Sequence, residues 1–167
     1  MSVDFFNTPC KEAEINNTTF GICDNQDGTK AFTDIEDKEK WIASVSNKNG
    51  KIIAFTPIDN CLQIFKPKTN DLESTCDGML TFTDNIYLVE LKRQRTSGWI
   101  PDAIGQLKNT IKLIIESQDI SHIKYKKAYA CNKKHPSFKK IDNELSKKFF
   151  TETNGFRLDI NSEINIK

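Results

Sequence analysis

The sequence lacks an apolar run of the roughly 18 residues that a membrane-spanning helix requires, so a transmembrane protein is not expected. Its N-terminus has no basic stretch followed by an apolar one, and we therefore predict no secretory signal peptide. These two absences favour a cytoplasmic protein. The 167 residues are enough for one domain with its own core, and we predict a single domain over residues 1–167.

Paired cysteines and several common catalytic motifs are also missing. The five cysteines are odd in number and include no CxxC pair, so we expect buried free thiols rather than a disulfide framework or a zinc site. No GxxxxGKS/T, GxSxG or HExxH motif occurs. The sequence therefore gives no support to a nucleotide-driven motor, a serine hydrolase or a zinc protease.

The basic residues are distributed unevenly along the chain. Residues 1–91 hold 8 lysines and arginines against 15 acidic residues, whereas residues 92–148 hold 14 against 5. A basic segment of this size can attract a polyanion although the formal net charge of the whole chain is only +1. The alternative is a lysine-rich surface that is merely solvated.

Hydrophobic periodicity predicts a mixture of strands and helices. Asn49-Gly50 has the chemistry of a tight hairpin turn, and apolar residues from Ile100 to Ile114 recur at helical spacing. Residues 1–33 show no period and are predicted to form a loop with a short helix near residues 11–15. The other predicted elements are a helical turn over 35–40, hairpins over 41–58 and 76–92, a helix over 101–117, a strand over 122–131, a helix over 138–150 and a strand over 155–160.

The run IYLVELK at residues 86–92 is predicted to lie at the centre of the sheet. Strands come first and then alternate with helices, which is typical of an α/β fold with a mixed central sheet. The run is apolar on both faces up to Glu90, so we expect helices to flank the sheet on both sides. Glu90 and Lys92 share one face, because side chains two apart in a strand point the same way.

A third charged residue, Asp77, is expected to join them. A two-residue turn at Asp84-Asn85 would place Asp77 opposite Lys92, and opposed residues of antiparallel strands project to the same face. Paired carboxylates offer the oxygen ligands that Mg²⁺ prefers, and an adjacent lysine can orient a metal-bound water or offset negative charge. The alternative is a structural ion pair between Glu90 and Lys92, because buried charges require a partner.

This spacing resembles the signature of the PD-(D/E)XK nuclease superfamily, whose members share a restriction-endonuclease-like fold. The resemblance covers about residues 41–131: Asp77 opens a strand, a short turn follows, and an apolar strand ends in Glu90-Leu91-Lys92. A helix with Gln106 in its first half comes next, as in some branches of the superfamily. The sequence departs from the family pattern at Cys76, which stands where the motif name has proline.

The resemblance implies a function and a site. The implied function is that of a metal-dependent nuclease, which hydrolyses phosphodiester bonds of nucleic acid with Mg²⁺ or Mn²⁺. Asp77 and Glu90 would bind the metal, with the Leu91 carbonyl as a third ligand. Lys92 would position or activate the attacking water, and Gln106 would support the site.

The resemblance also implies a fold, the α-β-β-β-α-β core, which we place within residues 41–160 as the nuclease-like core. The first core helix, which often contributes a glutamate, is not recognisable, and Glu36, Glu39 and Glu73 are the candidates for that role. Residues 1–40 form a poorly assigned N-terminal segment. The alternative function is that of a catalytically inactive module of this fold, which binds nucleic acid or a protein partner in a regulatory or defence role.

Basic residues on both sides of the predicted helix over 101–117 are candidates for nucleic-acid binding. Those that directly follow the acidic strand could contact phosphates. The strand over 122–131 interleaves lysines with tyrosines, and its alternative interpretation is a basic edge strand that resists aggregation. DNA is favoured over RNA as the partner, and a homodimer is one source of specificity. The candidates are Arg93, Arg95, Lys124, Lys126, Lys127, Lys133 and Lys134.

Overall fold

The computed structural model describes residues 3–96, 98–134 and 141–167. The elements within these ranges form two sheets, one of four strands and one of five, together with two α-helices. The elements are β1 (Thr19–Cys23), β2 (Phe32–Asp34), β3 (Ala43–Ser46), β4 (Ala54–Pro57), β5 (Gly78–Phe82), β6 (Asn85–Lys92), α1 (Trp99–Ser117), β7 (Tyr125–Asn132), α2 (Asn143–Glu152), β8 (Arg157–Ile160) and β9 (Glu163–Asn165), with a 3₁₀ turn at Lys38–Lys40.

The five-stranded sheet has the order β4-β5-β6-β7-β8 and is mixed. The pairs β4–β5 and β5–β6 are antiparallel, whereas β6–β7 and β7–β8 are parallel. Parallel neighbours need a crossover connection, and α1 and α2 provide the two that are required. The predicted α/β class with a mixed sheet is therefore confirmed, and the predicted central strand is β6, the middle strand of five.

The two faces of this sheet are covered differently. Ile86 and Leu88 of β6 pack with Leu107 of α1 and Phe149 of α2 in one core cluster. The intervening residues, of which Tyr87 is the largest, pack in a second cluster with β1, β3 and β9 of the four-stranded sheet, whose order is β2-β1-β3-β9. The expectation of helices on both faces is wrong, because the small sheet covers one of them.

The predicted hairpin over residues 41–58 does not form. The turn is present, with Gly50 at φ +60° and its N–H donating to the Asn47 carbonyl. The two arms then separate: β3 pairs with β1 and β9, and β4 pairs with β5. The buried Asn47 side chain donates to the backbone carbonyls of Asn17 and Lys51, which ties this corner to the N-terminal segment. Local turn chemistry identified the bend but not the partners of its strands.

The N-terminal segment is more regular than its sequence suggests. Residues 1–33 were expected to form a loop, yet they contain β1 and begin β2. The short helix expected near residues 11–15 is absent, and Ile15 instead forms an antiparallel bridge with Ile53. Short strands with mixed polar composition leave little period for sequence analysis to detect.

The helices begin where local chemistry allows it. α1 starts at Trp99, two residues before Pro101. Proline is tolerated in this first turn, because the backbone N–H groups there have no partner within the helix. α2 starts at Asn143 because the Asp142 side chain accepts a hydrogen bond from the Leu145 N–H at 2.7 Å. Residues 138–140 of the predicted helix over 138–150 lie outside the described residues. Among the described residues, no helix has the length and apolarity to cross a membrane.

Two of the five cysteines form a disulfide. Cys10 and Cys61 are 51 positions apart and are joined with their Cα atoms at 6.0 Å, which contradicts the expectation of free thiols for these two. The spacing of cysteines in the sequence does not predict this disulfide, because the bond depends on the tertiary contact between the N-terminal segment and the loop after β4. Cys23, Cys76 and Cys131 are buried free thiols, as predicted.

Candidate active site

The hairpin of β5 and β6 sets the position of the acidic residues. The turn consists of Thr83 and Asp84, with Thr83 at φ +50°, so Phe82 pairs with Asn85 and Gly78 with Val89. The predicted turn was one residue later. Continuing the observed register places Asp77 across from Glu90 rather than Lys92, a shift of two residues that leaves every side chain on its predicted face.

Asp77 and Glu90 therefore meet directly. The Asp77 N–H donates to Glu90 Oε1 at 3.2 Å, and the Leu91 N–H donates to Asp77 Oδ2 at 2.7 Å. The two residues are only 7% and 2% exposed. The Leu91 side chain packs in the opposite core cluster, so this residue can serve the site only through its backbone. The convergence expected from the sequence is present.

Lys92 and Gln106 complete the cluster. Lys92 Nζ lies 3.1 Å from Glu90 Oε2 and donates to Gln106 Oε1 at 2.7 Å. The Gln106 Nε2 in turn donates to the Thr75 carbonyl at 3.3 Å, in the segment that carries Asp77 and leads into β5. Gln106 thus connects α1 to both acidic strands and holds the lysine by its amide oxygen.

The burial of two adjacent carboxyl groups changes their acid–base behaviour. The pKa of Asp77 is raised, first by burial and then by the charge of Glu90. Burial also raises the pKa of Glu90 to about 7, although Lys92 opposes the shift. A hydrogen bond between the two carboxyl groups raises the pKa of Asp77 and lowers that of Glu90. One ammonium does not balance two carboxylates, so ionisation of both groups is disfavoured unless another cation is present.

Two further carboxylates lie in the electrostatic reach of the pair, and sequence analysis did not select them. Asp59 follows β4, and its N–H donates to the Cys76 carbonyl at 3.2 Å. Its negative charge raises the pKa of Glu90, and that of Asp24, just after β1, raises the pKa of Asp77. Burial raises the pKa of Asp59 itself, and Lys92 acts in the opposite direction.

Asp59 and Asp24, rather than the three glutamates named from the sequence, are thus the additional acids near the site. Glu36 and Glu39 are exposed, and the Glu73 carboxylate accepts from the Asn109 amide at 3.1 Å. No group of three or more His, Cys, Asp or Glu side chains in the described part of the chain is arranged to hold a metal ion. Asp59 lies two residues after the end of β4, which pairs with β5. This position is the feature of the sequence that could have identified Asp59 as a site residue.

Four of the predicted nucleic-acid-binding residues lie at the same edge of the sheet as the carboxylates. Arg93 and Arg95 directly follow β6 and are exposed. Lys133 and Lys134 directly follow β7, and the Lys133 N–H donates to the Lys92 carbonyl at 2.9 Å. The Asn132 amide donates to the Gln94 carbonyl at 2.7 Å, which joins the two segments.

The other three lysines lie at the opposite edge. Lys124, Lys126 and Lys127 are at the start of β7, which runs parallel to β6 and pairs Tyr125 with Asn85. Glu90 lies five positions after Asn85, which corresponds to roughly 17 Å along the strand. The structure does not bring these lysines to the carboxylate pair. The edge-strand interpretation is also wrong, because β7 lies between β6 and β8.

Thr110 supports the segment that leads into Asp77, and its replacement gives a testable prediction. Its hydroxyl accepts from the buried Cys76 N–H at 2.7 Å and donates to the Gln106 carbonyl at 2.8 Å. We expect Thr110→Val to lower the free energy of unfolding by about 1–3 kcal/mol, because the Cys76 N–H would be left unpaired.

Thr56 provides the matched control for this measurement. It is as buried as Thr110, but its hydroxyl has no hydrogen-bond partner among the described residues. We therefore expect Thr56→Val to be neutral or stabilising in the same denaturant titration. Equal losses in the two variants would show that the Cys76–Thr110 bond contributes nothing specific.

Comparison with protein-family models, with curated proteins and with solved structures gives no match to this chain. The functional interpretation therefore depends on the geometry of Asp77, Glu90, Lys92 and Gln106.

Proposed function

We propose that this protein is a metal-dependent nuclease of the PD-(D/E)XK type, which hydrolyses phosphodiester bonds in nucleic acid. The observation that carries the proposal is the convergence of Asp77, Glu90 and Lys92 at one end of two neighbouring central strands, with Gln106 holding the lysine. Two carboxylates beside a lysine can bind a hard divalent cation and hold a water next to a phosphate.

The arrangement of elements supports the same proposal. The succession β4, β5, β6, α1, β7 corresponds to the β-β-β-α-β part of a restriction-endonuclease-like core. The described residues before β4 contain only strands and a 3₁₀ turn, so they provide no counterpart of the first core helix. In this proposal, Asp59 and Asp24 supply the additional negative charge that the missing helix often contributes.

The donor set fits Mg²⁺ or Mn²⁺. Asp77 and Glu90 present carboxylate oxygens from adjacent strands, and hard divalent cations prefer oxygen ligands. Burial raises the pKa of both carboxyl groups, and the charge of Glu90 raises that of Asp77 further; a bound divalent cation would act in the opposite direction. A bound metal would supply a water of lowered pKa and neutralise charge on the phosphodiester.

The remaining side chains have positioning roles. Lys92 is held between Glu90 and Gln106 and is 14% exposed, so its ammonium can reach a water or a phosphate oxygen at the mouth of the site. A fixed ammonium stabilises negative charge that develops during attack without having to reorganise. Gln106 orients that ammonium, because its own amide is fixed by the Thr75 carbonyl.

A non-catalytic module is the competing proposal, and the 3.1 Å contact between Lys92 and Glu90 favours it. In that case the two residues form a structural ion pair that stabilises the end of β6. This alternative provides one cation for two buried carboxyl groups, so both could ionise only at a considerable cost in free energy. We therefore prefer the metal site.

Nucleic acid, with DNA favoured over RNA, is the proposed partner at the same edge. Arg93, Arg95, Lys133 and Lys134 surround the ends of β6 and β7 and could contact phosphates on either side of the scissile bond. A homodimer, in which two copies place their sites on opposite strands, is one source of sequence specificity for such a site.

Isothermal titration of Mn²⁺ tests the metal site. We expect saturable binding to the wild-type protein, loss of at least tenfold in affinity in Glu90→Gln and Asp77→Asn, and no change in Glu152→Gln. Glu152 is the matched control, because it also pairs with a lysine, Lys108, but lies on α2. Absence of Mn²⁺ binding to the wild-type protein, with or without DNA, would reject the proposal in favour of the structural ion pair.

A further inference from the structure

A large basic cavity lies at the edge of the five-stranded sheet opposite the carboxylate pair. Its volume is about 990 Å³, and it is lined at the starts of β6 and β7 by residues such as Asn85 and Tyr125. Pockets for small organic ligands span roughly 300–1,000 Å³, so this cavity can hold a ligand of nucleotide size or more. The function proposed above does not use it.

Cationic side chains converge on this cavity from several elements. Their ammonium and guanidinium groups come from the turn before β4, from the segment that leads into β7 and from the start of β8. One acidic residue, Asp84, is among the lining residues that the structure describes. Besides Lys167 at the end of the chain, the cationic lining residues are Lys51, Lys124, Lys126, Lys127 and Arg157.

Some of these cations are committed to protein partners and others are not. Lys127 pairs with Asp159 at 3.2 Å, and Lys126 donates to the Asn154 carbonyl at 3.0 Å. Lys124 is exposed and has no ion-pair partner within the described residues. Arg157 is exposed and lies over the Phe150 ring at 5.3 Å, a contact that leaves its donors available. The cavity therefore contains positive charge that an anion could neutralise.

Exposed aromatic rings accompany the charge. Tyr125 is 66% exposed and Phe150 is 42% exposed, although both belong to regular elements in which large apolar surfaces are normally covered. Rings next to lysines and arginines provide a stacking surface for a base together with donors for phosphate oxygens. Arg157 already lies over the Phe150 ring, whereas the Tyr125 ring is open to a base. An acidic peptide would use the cations but would leave the Tyr125 ring without a matched partner.

We propose that this cavity is a second, nucleotide-binding site, which takes phosphate groups on Lys124 and Arg157 and stacks a base on Tyr125. The nucleotide is either a free molecule or a unit of a nucleic-acid strand, since both present the same chemistry. The site is separate from the carboxylate pair, because Asn85 and Glu90 are roughly 17 Å apart along β6.

Binding measurements in a chelator test this inference without any contribution from a metal. The probes are ATP, a labelled pentathymidylate and inorganic tripolyphosphate, titrated in EDTA. We expect saturable binding of at least one of the two base-bearing probes, weakened about fivefold or more by Lys124→Ala or Arg157→Ala. Lys112→Ala is the matched control, because Lys112 is an exposed lysine on α1 that does not line the cavity, and this variant should bind as wild type.

The role of the base is measured separately. We expect Tyr125→Ala to weaken the base-bearing probe roughly five- to hundredfold and to leave tripolyphosphate unchanged. If ATP displaces the oligonucleotide at equal concentration, the ligand is a free nucleotide; if the oligonucleotide binds much more tightly, the ligand is a strand.

Three outcomes would overturn the inference: no saturable binding of either base-bearing probe, an equal loss in Lys112→Ala, or tripolyphosphate binding as tightly as both base-bearing probes. These titrations are made in EDTA, in which the proposed metal site does not operate. Failure of the nuclease proposal would therefore leave this site standing, and failure here would leave the nuclease proposal standing.

Discussion

We expect Lys92→Met to lower metal-dependent cleavage of nucleic acid by a factor on the order of 10³, with little loss of folded structure. Methionine has about the length of the lysine stem and can occupy the same space beside Gln106. The substitution removes only the ammonium that lies 3.1 Å from Glu90 Oε2 and 2.7 Å from Gln106 Oε1. The measurement is the cleavage rate of mixed single- and double-stranded DNA and RNA in Mg²⁺ or Mn²⁺.

Mn²⁺ affinity separates this effect from loss of the metal. Lys92 is not a metal ligand in the proposed mechanism, so Lys92→Met should still bind Mn²⁺ within a few-fold of the wild type, whereas Asp77→Asn should not. Lys108→Met is the matched control, because Lys108 also pairs with a glutamate, but its partner is Glu152 of α2 rather than a residue of the site. Full cleavage activity in Lys92→Met would exclude the proposed role of the lysine.

The core of the site was predictable because it depends on the simplest property of a strand. Side chains alternate between faces, so Glu90 and Lys92 had to point to the same side of β6. Asp77 was predicted opposite Lys92 but lies opposite Glu90, because the turn consists of Thr83 and Asp84. A register error of two residues leaves each side chain on the same face of the sheet, so the predicted convergence of Asp77, Glu90 and Lys92 is still found.

The surroundings of the site were not predictable in the same way. Asp24 acts on Asp77 and Asp59 acts on Glu90, although each pair is distant in sequence, because β1 and β4 end near the acidic strands. The disulfide between Cys10 and Cys61 likewise depends on a contact between two loops without periodicity. Hydrophobic periodicity describes one helix or strand at a time, whereas these features depend on how the elements pack against one another.

The same limit explains the error about the layers of the fold. The apolar faces of β6 showed that both sides are covered, but apolar character is the same whether a helix or a second sheet provides the cover. Strand β3 was assigned to a hairpin with β4 because Asn49-Gly50 turns the chain between them. In the structure, β3 instead joins β1 and β9, and the resulting sheet covers the second face.

The pH dependence of stability distinguishes a metal site from a structural ion pair without any assay of activity. The pKa of Glu90 is raised to about 7 in the folded protein, from 4.5 when it is unperturbed. A carboxyl group whose pKa is higher in the folded state binds more protons there than in the unfolded state. Its contribution to stability is therefore present at low pH and is lost as the pH rises through about 4.5 to 7.

We expect the titration of Glu90 to lower the free energy of unfolding of the metal-free protein by on the order of 2 kcal/mol between pH 5 and pH 8. Other carboxyl groups also titrate, so the difference between Glu90→Gln and the wild type isolates the effect. The melting temperature of Glu90→Gln relative to wild type, measured in EDTA, should rise between pH 5 and pH 8 by roughly 4–8 °C. Thermal unfolding at several pH values provides the measurement.

A stabilising ion pair requires the opposite sign. If Lys92 lowered the pKa of Glu90 below its unfolded value, the wild type would gain stability as the pH rose, and Glu90→Gln would become relatively less stable. Mn²⁺ gives an independent check, because it should raise the melting temperature of the wild type at pH 8 and leave that of Glu90→Gln almost unchanged. A buried pair that is destabilised by its own ionisation and is rescued by a cation is explained by a metal site and not by an ion pair.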